Sequence, residues 1–137
     1  MKSILASLVG LALLSSAASA AQMVGGSKDA HGCIGPAGYV WSVVQARCVR
    51  AFEVGHRLDP TTPSANTVSA FVVFPMGGDQ TRAELHLPWE KAPLIAKRII
   101  RPGAVTWTAG SYKLVRAHGM YSLSKGTRLL YRGTAAQ

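Results

Sequence analysis

From Gly77 onward, turn-forming residues recur at nearly even intervals, and no apolar stretch between them is long enough for a convincing helix. Gly77-Gly78-Asp79, Pro88, Pro102-Gly103, Ala109-Gly110, His118-Gly119 and Lys125-Gly126 are the punctuation. Glycine supplies positive φ at such points, and proline fixes its own φ and cannot donate to a ladder. The pieces between them read as strands over Thr81–Leu87, Leu94–Ile100, Ala104–Thr108, Ser111–Arg116, Met120–Ser124 and Thr127–Arg132. Thr67–Phe74 precedes them, giving about seven strands at spacings of roughly 8–12 residues. The chain is expected to be mainly β, a small antiparallel meander barrel or sandwich with its body over 67–132. Trp89–Ile99 is the one stretch of this body with any amphipathic helical character.

Alternation assigns the faces. Ala83, Leu85 and Leu87 share one side of their strand, opposite Arg82, Glu84 and His86. Leu114, Leu123, Leu129 and Tyr131 are expected inward as well. Phe71-Val72-Val73-Phe74 is apolar on both sides, which requires cover on both sides. The cysteine segment is expected to supply the outer cover.

The N-terminus is read separately. Lys2, the apolar run Ile4–Leu14 and Ala18-Ser19-Ala20 have the layout of a signal peptide over 1–20. The run is short for a membrane span. Residues 21–31 read as a flexible lead-in and 32–137 as a single β-rich domain, of which 32–54 is a disulfide segment. A periplasmic or secreted location follows, with no transmembrane segment in the mature chain. In such a compartment Cys33 and Cys48 are expected to pair. Loop-closure entropy makes a bridge of this span worth ~3 kcal/mol. Tyr39–Trp41 and Cys48–Phe52 read as short extended pieces, with a short helix over Ser42–Arg47 as the competing reading. Gly55–Asn66, with two prolines, reads as a surface loop.

Charge is the most informative bulk property. Of 137 residues, 15 are Lys or Arg and 6 are Asp or Glu, a net charge of +9, of which Lys2 accounts for one unit. After Glu90 every charged side chain is basic. A block so one-sided repels itself and draws anions. Lys97, Arg98, Arg101, Lys113, Arg128 and Arg132 are the candidate anion-binding residues. Trp89 and Trp107, both beside turns, are the candidate aromatic contacts. Nucleic acid is a poor partner for an exported protein, which leaves an anionic envelope polymer or lipid surface.

Patterns for catalysis are missing. His31, His56, His86 and His118 have no metal-ligand spacing. No serine sits in a G-x-S-x-G elbow. No glycine-rich phosphate loop follows a strand. The reading is a non-enzyme with neither metal nor cofactor.

The pattern G-C-x-x-x-x-G-Y-x-W-x-x-x-x-x-x-C-x-R-x-F-E over Gly32–Glu53, followed by R-L-D-P and S-A-F-V-V-F, resembles a group of small exported bacterial proteins with no established activity. The C-terminal meander, with Ser124-Lys125-Gly126 and Leu129, is similar to the small barrel of membrane-bound inhibitors of c-type lysozyme. The chain departs from those inhibitors in lacking a cysteine pair across the barrel, a lipidation cysteine and the S-G-x-x-Y loop. Two functions are therefore expected in order. The first is an exported binding protein for an anionic envelope or extracellular partner. The alternative is an inhibitor or immunity protein acting on an envelope hydrolase such as a lysozyme, with Gly55–Asn66 as its loop.

Overall fold

The computed structural model describes residues 26–62 and 68–136. The expected signal peptide, residues 21–25 of the lead-in, Thr67 and part of the 55–66 loop lie outside the described residues. Within the described residues ten strands and one short α-helix follow in order: β1 (Val40–Ser42), β2 (Arg47–Val49), α1 (Ala51–Val54), β3 (His56–Pro60), β4 (Ala70–Val73), β5 (Arg82–His86), β6 (Leu94–Ile99), β7 (Val105–Ala109), β8 (Tyr112–Ala117), β9 (Met120–Lys125) and β10 (Arg128–Thr134).

Strands β3–β10 form a closed antiparallel barrel in meander order, with β10 returning to pair with β3. The seven strands expected from the turn spacing are β4–β10. The eighth, β3, corrects the loop expected over Gly55–Asn66. His56, Leu58 and Pro60 alternate with Arg57 and Asp59, and only Leu58 is an obviously apolar member. The flanking glycine and prolines hide a strand that needs no N–H from Pro60. Trp89–Ile99 is likewise no helix, since β6 occupies its second half.

An eight-stranded barrel is just wide enough for side chains to fill or for one small ligand. Here side chains fill it. Leu58, Val72, Leu85, Trp107, Leu114, Tyr121 and Leu123 are fully buried in one cluster, each aliphatic member contributing about 1.5–3 kcal/mol. Strands β3, β5, β7 and β9 begin at one end of the barrel, here the His56 end, and the even-numbered strands begin at the other, the Trp89 end. At the His56 end, the Trp107 indole N–H donates to the Gln80 carbonyl at 2.7 Å and Arg116 donates to the Gln80 side chain at 2.9 Å. At the other, the Trp89 indole N–H donates to the Tyr112 hydroxyl at 2.9 Å, beside Tyr131. Both mouths are stoppered.

Leu129 does not face inward as its alternation suggests. It pairs with Ser124, while Tyr131 pairs with Leu123, so the register shifts by one between them. Leu130 is the extra residue and packs against the core in place of Leu129. A bulge of this kind leaves no mark in a pattern of alternating residues.

The disulfide segment lies outside the barrel. Cys33 and Cys48 are bonded, with Cα atoms 5.5 Å apart, and β1 pairs with β2 as a hairpin. The two extended pieces expected on either side of Ser42–Arg47 form this hairpin, and the competing helix over those residues is its tip instead. Ala51 and Phe52, read as extended, begin α1. As expected, the segment covers β4 and also β5: Gln45 Nε2 donates to the Phe74 carbonyl at 3.0 Å, and the Val43 N–H to Glu84 Oε2 at 2.8 Å. The lead-in is held from Lys28, which bridges to Ile34. Asp29 accepts the N–H groups of His31 and Cys33, and His31 stacks on Trp41 with ring centroids 4.4 Å apart.

Candidate anion-binding surface

Register decides which basic residues meet. On the outer wall Arg82 of β5 stands directly opposite Lys97 of β6, Lys97 opposite Thr108 of β7, and Thr108 opposite Lys113 of β8. Neighbouring strands are about 4.8 Å apart. The three cations therefore form one row across four strands. Like charges directly opposite each other destabilise a sheet. Among the described residues, none of the three has an acidic side chain within ion-pair distance. Arg98 stands opposite Trp107, on the inward-facing side of the ladder, and with Arg101 lines a shallow cavity of about 390 Å³ at the His56 end, together with Thr81, Ile99, Ile100, Ala104 and Val105.

The other two expected residues sit elsewhere. Arg128 stands opposite Lys125 at the Trp89 end, on the inward-facing side of the ladder. Lys125 is carried over the Tyr112 ring, 5.2 Å from its centroid. Arg132 lies opposite Asp59 and Ser122. Asp59 in turn pairs with Arg57 at 2.8 Å and accepts the Ser69 hydroxyl, and these two hydrogen bonds hold its carboxyl below the usual range. The six residues thus fall into the row of Lys97 and Lys113, the cavity pair Arg98 and Arg101 at the His56 end, and two separate positions. Arg82, read only as an outward residue of its strand, joins the row.

Of the two aromatic candidates, Trp107 is corrected. It is 0% exposed, with its ring in the barrel among Phe74 and Tyr121. Alternation with Thr106 and Thr108 put it inward, whatever its nearness to a turn. Trp89 is 50% exposed, but its indole N–H is committed to Tyr112.

Two groups escaped sequence reasoning. Glu84, on the outward side of β5, is fully buried beneath the disulfide segment. Its carboxylate accepts the Val43 and Val44 N–H groups and lies 2.7 Å from His86 Nε2. The signal was an acid in a strand next to one apolar on both sides. His56 faces the barrel interior edge-on to Phe74 and Tyr121, with Nδ1 buried and without a hydrogen-bond partner among the described residues. Burial, and then the Arg116 charge, hold its pKa below the ordinary histidine value. Burial also raises the pKa of the Tyr121 hydroxyl. No sequence signal marks His56, because β3 itself was not legible. Among the described residues no group of three His, Cys, Asp or Glu side chains could hold a metal ion. No helix among them is long and apolar enough to cross a membrane.

No protein-family model, curated protein or solved structure matches this chain.

The arrangement offers several fixed positive charges on a rigid wall, with an interior already packed. That suits multipoint electrostatic contact with an extended anion rather than enclosure of a small ligand.

Proposed function

We propose that this chain is an exported, non-enzymatic binding protein for an anionic partner of the cell envelope or exterior. Its contact surface is the wall formed by Arg82, Lys97 and Lys113, with Arg98 and Arg101 at the His56 end. The observation that carries this reading is the direct opposition of Arg82 and Lys97, neither of them in an ion pair among the described residues. An anion laid across the pair relieves a repulsion built into the sheet. The hydrolase-inhibitor reading draws less support, since residues 56–60 of its loop form a barrel strand.

The test is retention on heparin as a function of salt. Log affinity should fall linearly with log salt as counterions are released. Replacing Arg82, Lys97 and Lys113 together by Gln should lower the slope by about one unit per lost contact. Replacing Lys28, Arg47 and Arg57 by Gln removes the same net charge and should leave the slope nearly unchanged. Equal losses from both triples would sink the proposal.

A further inference from the structure

Of the large apolar side chains that remain exposed, Met76, Ile100 and Met120 stand at one end of the barrel. Trp89 and Val68 stand at the other, and Val43 and Phe52 lie on the disulfide segment and α1. The barrel's antiparallel order sends the β4–β5, β6–β7 and β8–β9 turns to the His56 end. Each carries one such residue at or near its tip: Met76 at 63% exposure, Ile100 at 100% and Met120 at 39%. Along a barrel edge, successive turns at one end are two strands apart, about 10 Å. The fourth position of this end is the β10–β3 seam. At the opposite end the β7–β8 turn (Ala109-Gly110-Ser111) and the β9–β10 turn (Lys125-Gly126-Thr127) carry no large apolar side chain. Trp89 there is half exposed with its indole N–H held by Tyr112, and Val68 is exposed in the β3–β4 connection.

The charges at this end have one dominant sign. Arg98 and Arg101 flank Ile99 and Ile100, with Arg82 and Arg116 on neighbouring strands and His118 in the β8–β9 turn. The acids there are occupied. Asp79 accepts the Thr81 N–H and hydroxyl, and Glu53 is paired with Arg50 at 3.0 Å. At Ile100 a fully exposed apolar tip stands between two arginines. It matches the boundary of a bilayer, where apolar tips enter the acyl region and guanidinium groups stay with anionic headgroups.

We propose that the His56 end of the barrel docks on an anionic lipid surface, inserting Ile100 with Met76 and Met120 while Arg98 and Arg101 engage the headgroups. This deepens the anionic-partner reading and rests on it for the sign of the charge. The barrel sits on the membrane and does not span it, since its outer wall carries Arg82, Lys97 and Lys113, and a lipid-facing wall must be apolar. The Trp89 end then points away from the surface.

The experiment uses vesicles of phosphatidylglycerol and phosphatidylcholine against vesicles of phosphatidylcholine alone. The protein should co-float with the first and not the second. Replacing Met76, Ile100 and Met120 by Ser should weaken flotation at least tenfold, about the effect of leaving one large apolar side chain in water. These side chains are exposed, so the thermal transition and heparin retention should be unchanged. Replacing Ile100 by Trp should give a blue-shifted emission that brominated lipid quenches.

Three results would overturn the proposal. One is failure of the protein to bind the anionic vesicles. Another is flotation of the triple Ser variant equal to that of the original protein. The third is a dimer in sedimentation that the Ile100→Ser change abolishes, which would make the tips a contact between copies. If the Ser variant floats normally while the Arg82, Lys97 and Lys113 substitutions still weaken heparin binding, the charged wall stands and end-on docking falls.

Discussion

Glu84 reaches outward from the wall of the barrel to the backbone of Val43: its Oε2 accepts that N–H at 2.8 Å, and the Val44 N–H at 3.3 Å. A carboxylate with no exposure thus joins the disulfide hairpin to β5, and it does so with His86 at its other oxygen. The contact links two parts of the chain that share no strand ladder.

Glu84→Ala should therefore cost about 3–5 kcal/mol, because it strands buried donors as well as removing the acceptor. Glu84→Gln keeps one acceptor and should cost less, about 1–3 kcal/mol. Urea unfolding of both variants measures this. Equal stability of Glu84→Ala and the unmodified protein would show that the hairpin does not depend on the contact.

Replacing Cys33 and Cys48 together by Ala should lower stability by ~3 kcal/mol through loop-closure entropy. The barrel ladders do not include either cysteine, so the far-UV circular dichroism of the variant should keep its β signature. Collapse of that signature would mean the barrel needs the clamp to form.

Gly133 lies where β10 crosses β3, and a Cβ there would collide with the Arg57 carbonyl and Leu58. Gly133→Ala must push backbone aside and should cost about 3 kcal/mol, the upper end for overpacking. Gly126 has φ +58° but open space around it, so Gly126→Ala should cost only about 1 kcal/mol. Thermal melts of the two variants should rank them in that order.

Acid stability should report His56. Burial and Arg116 keep its folded pKa below the ordinary 6.5, so between the two values the unfolded chain binds the extra proton. Stability is then full above pH 6.5 and declines as pH falls from 6.5 through the folded value. His56→Gln should flatten this part of the profile. The loss at lower pH should remain, because hydrogen bonds to Arg57 and Thr81 hold the Asp59 and Asp79 carboxyls below their usual range. Melting temperature against pH for both proteins gives the comparison.

The meander was legible because its turns are chemically marked: Gly103, Gly110, Gly119 and Gly126 all take positive φ. The closing strand was not, since β3 offers one aliphatic residue between a glycine and a proline. The bulge at Leu130 escaped because alternation counts residues and not ladder rungs. For the site, the outward direction of Arg82 and Lys113 could be read from their strands, whereas the adjacent Lys97 and Arg98 break the alternation of theirs. That Arg82, Lys97 and Lys113 share a row could not be read, because register is set between strands and no single strand contains it. Arg128 and Arg132 were parted from the row by the same fact.

The barrel closes between Pro60 and Tyr131, residues near opposite ends of its chain. Until β10 exists, β3 and β9 are bare edges, and bare edges recruit other chains. Ladder contacts between strands adjacent in sequence can form early and locally, whereas this last seam waits for nearly the whole polypeptide. A chain cut short before Arg128 would keep most of its ladders and still present two open edges. Loss of β10 should therefore appear as aggregation during production rather than as a modest drop in melting temperature.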